Sequence, residues 1–268
     1  MINYFLDNQI IMMTNFPLLK IKNDKFKDYI EQFWVGLLEG DGSIVVRRNK
    51  QNKNYCSFEI SLKYLTKNEE MLKLISEYIG GRIYYERKNN SIIKVKCISV
   101  SKKDVINCLN ILSKYPLLTS RKICQLEHLQ KCLENKNWDY HLKTRDNKYE
   151  LQNKLIQDYN NYFFIPHYFN AWVSGFVEAE GCFRFRNNKA TSFYISQNND
   201  KYILNAIKSI FNSKHKLGIN SDSRSLNLQY RVSISGKPCL TLIKNHFFNY
   251  PLMGNKKLSF DIWSESIL

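Results

Sequence analysis

Trp34-Val35-Gly36-Leu37-Leu38-Glu39-Gly40-Asp41-Gly42 returns 139 residues later as Val173-Ser174-Gly175-Phe176-Val177-Glu178-Ala179-Glu180-Gly181. Each copy is an apolar run with a glycine at its middle, and each ends small residue, acid, glycine. The approach to the first copy has a helical period. Phe26, Tyr29, Ile30, Phe33, Trp34 and Leu37 recur at three- and four-residue steps, and Lys25 to Leu38 holds no proline and no glycine before Gly36. Asn23 or Asp24 can cap the start. Pro166 falls where the first turn of the second helix should be, and Gly42 and Gly181 are expected as left-handed stops. Gly36 and Gly40 share a helix face, as do Gly175 and Ala179. A face with almost no side chain lets another helix backbone come close, and the obvious partner is the other copy.

Packed side by side and parallel, the two helices would bring Asp41 and Glu180 together at their carboxyl ends, where the backbone already carries partial negative charge. Two carboxylates ~5 Å apart repel by about 3 kcal/mol at an effective dielectric of about 20, and a divalent cation removes that cost. Mg²⁺ takes one or two carboxylates together with waters and phosphate oxygens. The pattern therefore points to metal-assisted hydrolysis of a phosphodiester. One copy alone would read equally well as an amphipathic helix with an acid beside its terminal glycine.

The rest of each half repeats as well. After Gly42 the period changes to two: Ser43 to Arg48 and Tyr55 to Lys63 read as strands joined by a polar turn. A helix from Lys67 to Tyr78 follows, ended by Gly80-Gly81. Strands at Arg82 to Arg87 and Ile92 to Val100 come next, then helices at Lys103 to Lys114 and Arg121 to Glu134. In the second half Cys182 to Arg186 alternates, with Phe183 and Phe185 expected inward. Ser192 to Gln197 is its partner, and Phe193-Tyr194-Ile195-Ser196 echoes Phe58-Glu59-Ile60-Ser61. A helix at Lys201 to Phe211, strands near Lys216 to Asn220 and Leu226 to Ile234, and a helix at Pro238 to Phe248 complete the replay. Leu226, Leu228, Tyr230, Val232 and Ile234 form the expected buried row of the last strand. Tyr115-Pro116-Leu117 returns as Tyr250-Pro251-Leu252. This is a duplication at the scale of half a molecule. It divides the chain into a first half over 20–134, a polar linker over 135–161 with room for a short helix, and a second half over 162–268.

These paired stretches resemble the motifs of the LAGLIDADG homing endonucleases, in the single-chain form with two motifs, over roughly residues 24 to 263. The resemblance implies an α+β fold: two pseudo-symmetric αββαββα units, each with a four-stranded antiparallel sheet, the two sheets forming a DNA-binding saddle. It implies that Asp41 and Glu180 bind metal, with the backbone carbonyls of Gly40 and Ala179. Glu39 and Glu178 lie two residues earlier, about 200° around the helix, and are not assigned to it. The implied metal is Mg²⁺, with Mn²⁺ able to substitute and Ca²⁺ able to bind without supporting cleavage. The family often has a basic residue near the start of the helix after the fourth strand. That role carries to Lys103 and Lys237, with Lys102 as a neighbour. Gln197 matches a position that orders water, and its counterpart Leu62 departs from the pattern, so the two sites need not be equally efficient. The implied activity is a double-strand break in a long, non-palindromic site with short 3′ overhangs.

A sheet with one apolar and one polar-basic face suits the major groove, where base edges are distinguishable. The candidate contacts are Arg47, Ser57, Glu59, Ser61, Lys63, Arg82, Tyr84, Lys94 and Lys96 in the first half. In the second they are Arg184, Arg186, Ser192, Tyr194, Ser196, Lys216, Asn227, Gln229 and Arg231. Members of this fold also serve as intron maturases, so intron RNA is the competing partner. An intein-borne nuclease would need a terminal nucleophile and a His-Asn end that the quoted sequence lacks.

Composition is consistent with these expectations. The formal charge of +16, from 40 Lys and Arg against 24 Asp and Glu, favours a polyanion, nucleic acid before an anionic membrane. No run of 18 apolar residues exists, so no spanning helix is expected. Seven cysteines without a C-x-x-C pair suggest free thiols. The five histidines, at 128, 141, 167, 215 and 246, are too widely spread to read as a zinc or His-nuclease box. The first 20 residues have neither a basic start nor an Arg-rich bias, so no secretory or transit segment is expected there. Abundant Asn, Lys, Ile and Tyr suit an AT-rich organellar genome, hence a mitochondrial origin, and two motifs in one chain suit a monomer.

Overall fold

The computed structural model describes residues 24–48, 51, 54–186, 189–220 and 228–267, apart from the side chains of 186, 189 and 190. The first half runs α1 (Asp24–Asp41), β1 (Gly42–Arg48), β2 (Asn54–Lys63), α2 (Thr66–Ile79), β3 (Arg82–Lys88), β4 (Ser91–Ser99), α3 (Lys102–Lys114) and α4 (Ser120–Asn135). Two helices, α5 (Trp138–Thr144) and α6 (Gln152–Asn161), occupy the stretch between the halves. The second half repeats the order: α7 (Phe169–Glu180), β5 (Gly181–Arg186), β6 (Lys189–Asn198), α8 (Lys201–Ile210), β7 (Gly218–Asn220), β8 (Gln229–Ile234), α9 (Lys237–Asn249) and α10 (Asn255–Glu265). The sheets are antiparallel with matching orders, β1-β2-β4-β3 and β5-β6-β8-β7. The registers match too: Gly42 pairs with Ile60 and Gly181 with Ile195, so Leu62 and Gln197 are equivalent. The fold is therefore the expected α+β duplication.

The two motif helices pack on their glycine faces, and they run parallel because Gly36 meets Trp172 and Phe176 while Gly40 meets Ala179. A Cβ on Gly36 would lie 2.8 Å from the Phe176 backbone nitrogen, and one on Gly175 would lie 2.8 Å from that of Leu37. Only glycine permits such an approach. Around this seam, Trp172 stacks between Phe169 and Phe176 at ring separations of 5.3 and 4.6 Å, and all three are fully buried. The inner faces of the sheets contribute Phe58, Ile60, Val95 and Cys97 on one side and Phe193, Ile195, Val232 and Ile234 on the other. Burial of each such large apolar side chain contributes about 1.5–3 kcal/mol.

Several local expectations need correction. Gly42 and Gly181 are not left-handed. Gly181 has φ −78° and ψ 159°, and the positive-φ glycines are Gly80, Gly81 and Gly236. Helix passes directly into strand at both positions. A Cβ on Gly42 would stand 2.6 Å from the Leu38 carbonyl oxygen, and one on Gly181 2.9 Å from that of Val177. Crowding at the junction, not backbone sign, demands glycine. Pro166 precedes α7, its carbonyl accepting the Phe169 N–H at 3.0 Å. Phe185 is 41% exposed because the β5–β6 register shifts between Arg184 and Phe185. Leu228 is also exposed, since β8 begins only at Gln229. Leu226 and Asn227 lie outside the described residues.

Candidate active site and nucleic-acid interface

Asp41 is the last residue of α1 and Glu180 the last of α7. Asp41 is exposed and Glu180 half-buried. Both carboxyls are held above the ordinary range. For Asp41 the cause is desolvation; for Glu180 it is desolvation first and then the negative charge of Asp41. Two lysines oppose the shift in both cases, Lys256 and then Lys122. Lys122 donates from Nζ to the Gly42 carbonyl, and Lys256 donates from Nζ to the Ala179 carbonyl at 2.8 Å. Each lysine is thus anchored on backbone beside one of the acids. Desolvation lowers the proton affinity of both lysines.

The lysines are carried by helix starts that the motif glutamates hold. Lys122 lies in the first turn of α4 and Lys256 in that of α10. Glu39 accepts the Leu118 N–H at 2.8 Å, the Thr119 N–H and hydroxyl, and the Trp172 indole N–H at 2.7 Å. Glu178 accepts the Gly254 N–H at 3.1 Å and the Lys256 N–H at 2.9 Å. Buried carboxylates at helix N-termini are favoured by the exposed N–H groups and the dipole. Desolvation still holds both glutamate carboxyls above the ordinary range, with these bonds opposing it. The same helix starts are also capped from the opposite half. Asp200 accepts the Ser120 N–H, and Asn68 Oδ1 accepts the Asn255 N–H at 2.9 Å.

The outer sheet faces carry most of the expected contacts. Arg47, Ser61, Lys63, Arg82, Tyr84, Lys94, Arg184, Lys216 and Arg231 are exposed; Glu59, Lys96, Tyr194, Ser196 and Gln229 are half-buried. Cross-strand pairing groups them: Ser61 with Lys96 and Tyr84, Lys63 with Lys94, and Ser196 with Arg231. Several basic groups already have partners. Arg47 pairs with Glu59, Lys96 with Glu86 at 2.6 Å, and Arg184 lies 3.9 Å over the Tyr194 ring. Ser57 and Ser192 are buried, so neither can reach a ligand directly. Ser57 instead donates to Glu59 at 2.6 Å and accepts from Arg47 Nε at 3.3 Å, bracing that ion pair. The Arg186 side chain and Asn227 fall outside the described residues. Among the described residues no helix is long and apolar enough to cross a membrane.

A family profile described as LAGLIDADG endonuclease matches residues 34–133 and 173–267, one segment in each half. The chain belongs to this family. It is 36% identical over 249 residues to a probable intron-encoded endonuclease, aI3, of Dictyostelium citrinum, covering 91% of this chain and 98% of that one. It is 34% identical over 265 residues to the probable intron-encoded endonuclease aI3 of Debaryomyces hansenii, covering 87% of this chain but only 37% of that longer protein. In fold it is similar to the LAGLIDADG homing endonuclease I-GzeII, solved in complex with its DNA target, with 21% identity, a TM-score of 0.63 and 88% of each chain covered.

On this LAGLIDADG scaffold, Lys103 and Lys237 sit exposed at the starts of α3 and α9, and neither is among the charges acting on Asp41 or Glu180. The same is true of Lys102. The structure brings Lys122 and Lys256 to the acids instead. The reason is topological: the helix that reaches the seam is the one after Tyr-Pro-Leu, not the one after the fourth strand. A signal existed in the sequence, since Lys122 follows Pro116 by six residues and Lys256 follows Pro251 by five. Gln197 is half-buried, with Nε2 3.5 Å from Asp200 Oδ2. Of the two carbonyls expected beside the acids, that of Ala179 is occupied by Lys256. The remaining donors fit a hard cation: two carboxylates with raised proton affinity, at helix ends that are themselves negative.

Proposed function

We propose that this chain is a site-specific DNA endonuclease that hydrolyses one phosphodiester on each strand of a long, non-palindromic duplex and leaves short 3′ overhangs. The observation that carries the reading is the Asp41–Glu180 pair at the meeting of two helix carboxyl ends, flanked by Lys122 and Lys256. Asp41 and Glu180 would hold Mg²⁺, which when bound stabilises the attacking and leaving oxygens; Mn²⁺ could replace it, and Ca²⁺ could bind without cleavage. Lys122 and Lys256 place positive charge where a scissile phosphate would gain negative charge. Gln197 is polar where its register equivalent Leu62 is apolar, so the two sides of the site are chemically unequal. The exposed rows around Arg47, Arg82, Lys94, Arg184 and Arg231 would read base edges and phosphates. Because the rows differ between the halves, the preferred site is asymmetric.

The DNA complex of I-GzeII and the intron-encoded relatives support a DNA partner and an intron-borne origin, and the composition suits an AT-rich mitochondrial genome. Both halves lie in one chain, so a monomer suffices. The decisive experiment incubates the protein and Mg²⁺ with a randomised duplex library and sequences the cut ends. Enrichment of one long asymmetric site, abolished by Asp41→Asn and by Glu180→Gln with binding kept, is the expected result. Absence of cleavage with tight, Mg²⁺-insensitive binding of structured intron RNA would replace this reading by a maturase.

A further inference from the structure

The five histidines are scattered in sequence, yet folding brings two of them to one cysteine. This corrects the expectation that no compact zinc-like group forms. His128 and Cys132 are one turn apart on α4 and so share a face. His141 comes from α5, in the stretch between the halves. His128 Nε2 lies 3.1 Å from His141 Nδ1; the Cys132 sulfur lies 3.5 Å from the first and 3.8 Å from the second. We propose that His128, Cys132 and His141 form a Zn²⁺ site that fastens helix α5 to the end of α4.

The spacing is that of a coordination sphere. With Zn–N of about 2.0–2.1 Å and Zn–S of about 2.3 Å at tetrahedral angles, donor separations come to ~3.3 Å for N···N and ~3.6 Å for N···S. The three separations here need adjustments of only a few tenths of an ångström. Imidazole and thiolate donors suit zinc and not Mg²⁺, so this site and the acid pair select different ions. Water would complete the fourth position. On binding, Cys132 gives its thiol proton to solvent and becomes the anionic ligand.

The surroundings hold the donors in place without the ion. Trp138 stacks on the His141 ring at 4.6 Å, and Arg48 lies over Trp138 at 5.9 Å. Asn54, the first residue of β2, donates from Nδ2 to the Cys132 carbonyl at 3.0 Å and to the Asn137 carbonyl at 2.8 Å. Its Oδ1 is buried without a hydrogen-bond partner. An ion here would therefore join α4 to α5, beside the end of the β1–β2 pair that Asn54 and Arg48 bring to the site.

The test uses the full chain, stripped by chelation and titrated with Co²⁺ as a spectroscopic probe, then with Zn²⁺ as competitor. The expected result is one Co²⁺ per chain with four-coordinate d–d bands and a thiolate-to-cobalt charge-transfer band that Zn²⁺ removes, distinct from any weakly absorbing oxygen-bound Co²⁺ at the acid pair. Cys132→Ser should abolish the charge-transfer band, and His141→Gln should weaken affinity at least about 10-fold. Asp41→Asn and Glu180→Gln should leave the spectrum unchanged. Zn²⁺ should raise the melting temperature of the parent protein and not that of His141→Gln. Because His141 is only half-buried, this variant keeps the core intact, and its metal-free melting temperature checks that. A parent protein without the charge-transfer band would overturn the proposal. So would an unchanged band in Cys132→Ser or unchanged affinity in a folded His141→Gln.

Discussion

The carboxylate of Asp200, in the second half, accepts the backbone N–H of Ser120, in the first, at 3.1 Å, and the Ser120 hydroxyl at 2.6 Å. Burial pushes the Asp200 carboxyl up from 3.8 to about 6, against the pull of those bonds. A carboxyl with a raised folded-state pKa stabilises most when protonated. Its contribution is full below 3.8 and is lost as pH rises through about 6. At about 1.4 kcal/mol per unit, the loss is on the order of 3 kcal/mol. Asp200→Asn keeps an acceptor for Ser120 without the charge. Its melting temperature should therefore gain on that of the parent protein between pH 4 and pH 7. Parallel pH curves for the two proteins would refute the assignment.

Gly36→Ala or Gly175→Ala places a methyl group against backbone of the opposing helix. Backbone cannot step aside as a flexible side chain can. Each substitution should cost about 3 kcal/mol or more and spread the acid pair. Denaturant melts would show the stability loss, and strand-resolved cleavage assays should show both strands slowed together. Loss of one strand only would contradict a shared seam.

Lys122→Met and Lys256→Met should each lower the cleavage rate about 100-fold or more, with DNA affinity changed only a few-fold. Lys103→Met and Lys237→Met should leave the single-turnover rate unchanged at saturating protein. If the latter pair were the slow ones, the electrostatic role would return to the starts of α3 and α9.

Glu59→Gln removes the partner that fixes Arg47, with Ser57 left beneath. The freed guanidinium can turn toward another base edge, and each good bidentate pair is worth about 1–3 kcal/mol of discrimination. Cleavage profiling on the randomised library should show altered preference at one or two positions of the site and an unaltered rate on the best sequence. An unchanged profile would mean that Arg47 does not read bases.

The apolar period of Phe26 to Leu37, the alternation of Tyr55 to Lys63 and the repeat of the acid motif all report local geometry, and the sequence displays them openly. The side chains it hides depend on contacts between distant elements. Ser57 alternates like a surface residue and is buried because Arg47 and Glu59 close over it. Phe185 alternates inward until a register shift turns it out. Lys122 and Lys256 acquire their place only when Glu39 and Glu178 fix the helix starts that carry them. His128 and His141 meet only because α5 folds back on α4.

Asp41 is followed at once by the first residue of β1, and Glu180 by the first of β5. In the proposed function, blade and ruler would therefore be one rigid piece in each half. The distance along the duplex between the bond severed and the letters inspected would then be set by covalent geometry. Inserting a single residue at either junction should uncouple the place of incision from the recognised sequence on that strand alone.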